Sequence, residues 1–251
     1  KYNTPVLFRP TTRVDHAYES MEIPELEPCR TPGNFEKDSK RWVIFPRSSY
    51  LNHKRIFDRN ENILPKEFSD SKWNFVSSLN NPQQPVISTG KTVISTEVEK
   101  SPCFAAGGIS YCYLKEALSI LKAENPENKE IADTRILKIG TPFPFPTPLA
   151  EEFLNANKEI TVFEELDPVI EDALISICGA KKIQCTIHGK HDKTVPEAGE
   201  LSVEIIKAII SSRSLDSARD DTPTPSKDVI ISTKDSVISI STKDSVISTE
   251  V

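Results

Sequence analysis

RILKIGTPFPFPTPLAEEFLNANKEITVFEELDPVIEDALISICG (135–179) decides the fold. Two apolar runs of strand length, 135–139 and 160–163, alternate in it with two stretches of helical period. Gly140 closes the first run. Thr147-Pro148 reads as a helix N-cap followed by Pro at the first helical position, where a missing N–H costs nothing. Leu149, Phe153 and Leu154 share the inner face of that helix. Asp167-Pro168 repeats the start signal ahead of Val169, Ala173, Leu174 and Ile177, and Gly179 is the expected stop.

The alternation continues on both sides. Upstream, CFAA (103–106) is a strand before Gly107-Gly108, and Ser110 caps a helix with Tyr111, Leu114, Leu118 and Leu121 inside. Downstream, residues 183–187 form a further strand, and Ser202 caps a last helix on which Leu201 staples to Ile206. Strands alternating with helices predict an α/β domain over 103–210, a parallel sheet in three layers with right-handed crossovers. Its first strand is the weak one. Four residues precede the glycines and a repeat abuts them, so a displaced or shortened strand and an exposed sheet edge are expected.

The rest of the chain is leaner. It has 251 residues, enough for one large domain or two small ones, and 37% of them are hydrophobic, below the usual share. The deficit lies in 24–102 and 211–251. A net charge of −6 argues against non-specific nucleic-acid binding, which needs Lys and Arg to neutralise phosphate. His53-Lys54-Arg55 therefore reads as a solvated helix face. The five cysteines are odd in number and form no CxxC pair, which points to free thiols in a reducing compartment. No apolar run approaches the roughly 20 residues that span a bilayer, and no leader opens the chain, so a cytoplasmic protein with no membrane partner is expected. The chain starts at Lys1, without Met, and runs into the strand-like PVLFR (5–9), so missing upstream sequence is expected.

Residues 24–34 read as a loop, and RWVIF (41–45) is a second apolar run stopped by Pro46. Residues 48–59 look helical and basic, with Tyr50, Leu51 and Ile56 as the inner face; 65–71 breaks that pattern, and WNFV (73–76) is apolar but short. VIST occurs at 86–89 and 93–96, and ISTKDSVIS at 231–239 is repeated unchanged at 240–248. A β-helix needs about three or more copies with glycine at the turns. Two copies without Gly read instead as an unstructured or weakly β-prone tail, hazardous for aggregation, entered through the linker DDTPTPS (220–226).

Four features resemble sites. Gly107-Gly108-Ile109-Ser110 stands where an α/β fold binds phosphate, yet it is neither GxGxxG nor a P-loop, and a tight structural turn is the better reading. Glu164, Glu165 and Asp167 cluster at a strand end; Asp167 as a cap, with the glutamates meeting the helix dipole, is preferred to an acid/base or metal site. His188 and His191 have the spacing of a metal pair but no evident third ligand. TPFPFPTP (141–148) reads as a stiff loop that buries Phe143 and Phe145 rather than a polyproline ligand. No nucleophile–base constellation can be assembled, so no catalytic, cofactor-binding or metal residue is assigned.

GGISYCYLKEAL (107–118), ILKIGTPFPFP (136–146), VFEELDPVIEDAL (162–174) and GELSVEII (199–206), in that order, resemble the alpha subunit of indolepyruvate:ferredoxin oxidoreductase, of the thiamine-diphosphate-dependent 2-oxoacid:ferredoxin oxidoreductase family. PVLFRPTTRVDHAYES (5–20) and RWVIFPRSSYLNHKR (41–55) are similar to the segments before them in that subunit. The resemblance implies the end of a pyrimidine-binding domain at 1–23 and a connecting segment at 24–102 with a VIST-repeat insertion at 77–102. It implies a transketolase C-terminal-like domain at 103–210 and a foreign repetitive tail at 211–251. The full family enzyme would use thiamine diphosphate, Mg²⁺ and 4Fe–4S clusters, with a beta subunit and ferredoxin as partners. The thiamine-activating glutamate would lie upstream of Lys1, and neither the Gly-Asp-Gly diphosphate motif nor CxxCxxC clusters occur. The chain is therefore expected to hold no cofactor and to be an inactive fragment. The alternative is a non-enzymatic scaffold or dimerisation module, a homo-oligomer through the α/β domain.

Overall fold

The structure is a computed structural model that describes residues 7–10, 15–23, 25, 37–79, 101–216, 232–233 and 236–237. The chain divides into two units, Lys1–Ser49 and Tyr50–Val251. In the first, the described part of the strand-like run at 5–9 is not a strand: Leu7 and Phe8 are exposed and carry no regular structure. A short helix, α1 (Ser39–Trp42), precedes Val43, Ile44 and Phe45, also exposed. The loop at 24–34 falls almost wholly outside the described residues, as do the VIST repeats and the 220–226 linker.

Helix α2 (Pro46–Asp58) begins at the proline, whose fixed φ suits a first helical turn. It buries no residue, so Tyr50, Leu51 and Ile56, expected inside, are exposed. A π-helical turn (Arg59–Ile63) leads into α3 (Leu64–Ser69), which carries Pro65 in its first turn and is a helix where a break was expected. The short run after it is a strand, β1 (Phe75–Ser78).

Next come β2 (Cys103–Gly107), α4 (Gly108–Glu124), α5 (Lys129–Ala132), β3 (Arg135–Ile139), α6 (Thr147–Asn155), β4 (Glu159–Phe163), α7 (Val169–Lys181), β5 (Thr186–His188) and α8 (Val203–Asp216). In the tail, β6 (Ser232–Thr233) and β7 (Ser236–Val237) pair antiparallel. The main sheet has five strands in the order β1-β3-β2-β4-β5. Strands β2 to β5 run parallel, and β1 lies antiparallel along β3 with Phe75 opposite Lys138. The first parallel strand is therefore neither displaced nor short. With five residues it matches β3 and β4 in length, pairs on both sides, and buries residues 103–106 completely. Small side chains at Ala105 and Ala106 let helices approach both faces.

The period of two in each strand sorts the core into two halves. Phe104, Ala106, Ile136 and Phe163 face Leu114, Leu118, Leu121, Leu201 and Ile206, from α4, α8 and the segment entering α8. Cys103, Ala105, Leu137, Ile160 and Val162 face Leu149, Phe153, Leu154, Leu174 and Ile177, from α6 and α7. This is the expected three-layer α/β arrangement. The staple of Leu201 on Ile206 and the Ser202 cap, which accepts from Ile205 N at 3.3 Å, are present.

Several local signals lose to tertiary contacts. Helix α4 starts at Gly108, and Ser110 is a buried first-turn residue rather than its cap. Thr147 gives its N–H to Phe145 O at 2.8 Å and caps nothing with its hydroxyl. Helix α7 runs through Gly179 and stops at Lys182, which takes the left-handed conformation at φ 58°. Val169 is half exposed and Ile170 takes its place inside. The strand expected at 183–187 is shorter and later, at Thr186–His188.

Candidate functional site

Helix α4, after β2, lies on one face of the sheet, and α7, after β4, on the other. The carboxyl ends of β2 and β4 therefore form a switch point, the crevice where open α/β sheets receive ligands. The glycine turn and the acidic cluster from the sequence both meet there.

The crevice is filled from inside. At Gly107 an added Cβ would stand 2.6 Å from Ile170 Cδ1 and 3.1 Å from Ile139 O. The first glycine is thus fixed by side-chain packing across β2. Gly108 has φ +55°, which makes the reversal into α4. Both act as a structural turn.

Glu164, not Asp167, caps α7. Its carboxylate accepts Ile170 N at 2.8 Å and Glu171 N at 2.9 Å, while Asp167 contributes its carbonyl to Val169 N. Burial pushes the Glu164 carboxyl above its usual range, against the pull of those two N–H groups and of Lys190. Glu165 accepts Leu201 N at 3.1 Å and ties the β4 end to the segment entering α8. The cluster is brought together, but Glu164 takes the Ile170 and Glu171 N–H groups and Glu165 that of Leu201.

Glu171, 1% exposed, carries the other unforeseen role. Its carboxylate accepts Lys190 N at 2.7 Å and His191 N at 3.2 Å, in the loop after β5. It fits so closely that a Cβ on Gly189 would lie 2.5 Å from it. Consecutive backbone N–H groups around one oxyanion form a nest. Here the nest holds a carboxylate of the chain itself.

The two histidines of this loop separate. His188 Nδ1 contacts Asp192 Oδ2 at 2.6 Å, and His191 Nε2 contacts Asp172 Oδ1 at 2.6 Å. The Asp172 bond raises the His191 pKa above 6.5. No group of three or more His, Cys, Asp and Glu is placed to hold a metal among the described residues. Cys103, Cys112, Cys178 and Cys185 are free. Burial pushes the Cys185 thiol up to about 12, with Cys178 and Cys103 adding to the rise, and burial also raises Cys103 and Cys178. Such thiols stay protonated at neutral pH and are poor nucleophiles.

Around the filled crevice the carboxyl edge is apolar. Phe145 packs against the core as expected, but Phe143 is 77% exposed. Leu166 is 75% exposed and sits at φ 57°. A non-glycine residue in that conformation costs about 1–2 kcal/mol. Ile109 and Val169 are half exposed beside them.

No protein-family model matches the chain. The class defined by the fold is a three-layer α/β domain whose ligand positions are filled by its own side chains. The chain is 30% identical over 210 residues to the indolepyruvate oxidoreductase subunit IorA of Methanothermobacter thermautotrophicus, covering 84% of this chain and 30% of the relative. It is 30% identical over 207 residues to IorA of Pyrococcus abyssi, covering 80% of this chain and 28% of the relative. It also matches, at 16% identity and a TM-score of 0.41, 67% of this chain and 23% of the other, a 2-oxoglutarate:ferredoxin oxidoreductase from Magnetococcus marinus solved with 2-oxoglutarate, coenzyme A and succinyl-CoA. The chain is an IorA-like sequence, and it spans about 30% of the length of the curated relatives it matches. No helix among the described residues is long and apolar enough to cross a membrane.

Proposed function

We propose that residues 103–210 are the transketolase C-terminal-like domain of an indolepyruvate:ferredoxin oxidoreductase alpha subunit, and that this chain is a non-catalytic part of such an enzyme. The parent enzyme would decarboxylate an aryl pyruvate oxidatively, transfer the acyl group to coenzyme A and pass electrons to ferredoxin. Thiamine diphosphate and iron–sulfur clusters would supply that chemistry. The described residues do not fit either group. The α7 N-terminus and the loop nest, the two places suited to a diphosphate, are taken by Glu164 and Glu171. Among the described residues, no group of three or more His, Cys, Asp and Glu is placed to hold a cluster. No step of the reaction is therefore assigned to this chain.

The single observation that carries this reading is the self-filled switch point in an IorA-like sequence. Its test is turnover of the full chain with indolepyruvate, coenzyme A, thiamine diphosphate, Mg²⁺ and oxidised ferredoxin. No ferredoxin reduction above the protein-free rate is expected. Reduction that scales with the amount of chain would overturn it. The exposed carboxyl edge favours a second reading as a contact module, with the beta subunit or a second copy as the candidates.

A further inference from the structure

Three lysines and three aromatic rings meet where β1 lies along β3. Phe75 and Lys138 stand opposite each other in that register, so they share a face of the sheet. It is the face that α4 covers, and Tyr111, near the start of α4, packs edge-on to Phe75 with ring centroids 6.1 Å apart. Lys138 Nζ lies 5.5 Å from the Phe75 centroid and 5.8 Å from that of Tyr111. Lys115, one helical turn after Tyr111, sets its Nζ 5.7 Å from the same ring. Just ahead of β1, Lys72 Nζ stands 4.9 Å from the ring of Trp73, which is 57% exposed.

The group is held in place. Asn74 Oδ1 accepts Gly140 N at 2.8 Å and Thr141 N at 3.1 Å, and Lys138 Nζ donates to Trp73 O at 3.0 Å. A Cβ on Gly140 would stand 2.5 Å from Trp73 O. The turn that carries Lys72 and Trp73 is thus locked to the end of β3, and a surface fixed in advance loses little freedom when something binds it.

What these lysines lack is a carboxylate. The chain has 37 acidic residues against 31 basic ones, and elsewhere its lysines use them. Lys181 pairs with Glu151 at 2.8 Å, and Lys207 pairs with Glu124. Lys72, Lys115 and Lys138 make no ion pair among the described residues. One N–H of Lys138 goes to Trp73 O, which leaves two for a ligand. A cation set against a ring covers apolar surface with its stem and keeps its charge outward.

The kind of anion follows from what else is there. The patch has no arginine, whose fork is the group that grips phosphate in two places. A chain of net charge −6 disfavours nucleic acid. Strand β1 is outermost, and its outer edge pairs with no other strand of the sheet, so an extended polypeptide can run beside it. We propose that this face docks an extended acidic segment of a partner polypeptide, with carboxylates on Lys72, Lys115 and Lys138 and an apolar side chain over Trp73. The surface is independent of whether the chain turns over.

The test uses the full chain carrying Trp42→Phe, which leaves Trp73 as the one tryptophan of the two. The probe is a synthetic peptide of repeated Glu-Glu-Leu, followed by Trp73 fluorescence. A saturable change that weakens as salt is raised is expected. Lys72→Gln/Lys115→Gln/Lys138→Gln should weaken binding by roughly tenfold or more. Lys37→Gln/Lys40→Gln/Lys129→Gln removes the same charge elsewhere and should change it by less than about threefold. Far-UV circular dichroism checks that each variant keeps its helices; should the first triple variant lose them, Lys72→Gln/Lys115→Gln, both on exposed side chains, gives the same reading. No saturable change with the acidic peptide overturns the proposal. So does an equal loss in both triple variants, which would make the binding a matter of net charge. Tighter binding of single-stranded oligothymidylate or of inorganic phosphate would overturn it too, in favour of a phosphate site.

Discussion

Helices α2 and α7 have the same length, 13 residues, and both carry apolar side chains at helical spacing. One buries nothing in this chain; the other buries Ile170, Glu171, Leu174 and Ile177. The contrast lies in what surrounds the termini. Glu164 fixes the start of α7, the left-handed Lys182 ends it, and the loop after β5 is clamped to its first turn by Glu171. A face held at both ends against a sheet becomes core. Helix α2 buries no such face among the described residues. Periodicity thus predicts that a helix forms but not what covers it.

The strongest way to break this contrast is to open the core under α7. Leu174 is fully buried among the residues of β2, β4 and α6. Leu174→Ala removes its burial and leaves a cavity, and is expected to cost about 2–5 kcal/mol in chemical denaturation. A loss under about 1 kcal/mol would mean that α7 is as loosely attached as α2.

Next in size is the clamp. Glu171→Ala strands the N–H of Lys190 in a buried setting and that of His191 in a part-buried one. An unsatisfied buried donor costs about 1–3 kcal/mol, and the Gly189 turn would lose the group packed against it. Amide hydrogen exchange should accelerate at Lys190 and His191 first. Unchanged protection there would remove Glu171 from its role.

The α7 cap has a pH signature. Glu164→Ala is expected to cost about 0.5–2 kcal/mol, as lost N-caps do. Because burial raises the Glu164 carboxyl, the folded chain holds that proton more tightly than the unfolded chain does. Stability from this group is therefore greatest in acid and falls as pH rises from the ordinary value of 4.5 through the raised folded value. The gap between wild type and variant should narrow across that window. A gap that widens with pH would mean that the two N–H bonds outweigh burial.

Much of this was legible in the sequence because the signals are local. Strands β2 to β4 and the inner face of α4 follow from short apolar runs and from the spacing of Tyr111, Leu114, Leu118 and Leu121. Strand β1 was not. Its FVSS has little alternation, and Asn74 seats it by accepting the N–H groups of Gly140 and Thr141, 66 and 67 residues away. The α7 cap was misplaced for a related reason. Asp167-Pro168 carries the local signal, but Glu164, six residues before Ile170, reaches the same donors from the end of β4. The filling of the anion positions by Glu164 and Glu171 has no sequence signature, since it depends on which loops the sheet brings together.

The smallest expected effect sharpens the contrast most. Phe57 is 61% exposed on α2 and is the same size as the core phenylalanines Phe104, Phe153 and Phe163. If α2 contributes nothing to the isolated fold, Phe57→Ala should change stability by less than about 0.5 kcal/mol when the protein is dilute. If α2 packs between chains, the same substitution should matter at high concentration, because apolar area withdrawn from water in an association stabilises only the associated form. Denaturation midpoints at two protein concentrations separate the cases. Equal midpoints when dilute and a lower one for the variant when concentrated place the value of Phe57 in a contact between chains. A loss of about 3 kcal/mol or more at every concentration, as for a buried phenylalanine, would mean that α2 is core after all and that the two helices differ less than their surroundings indicate.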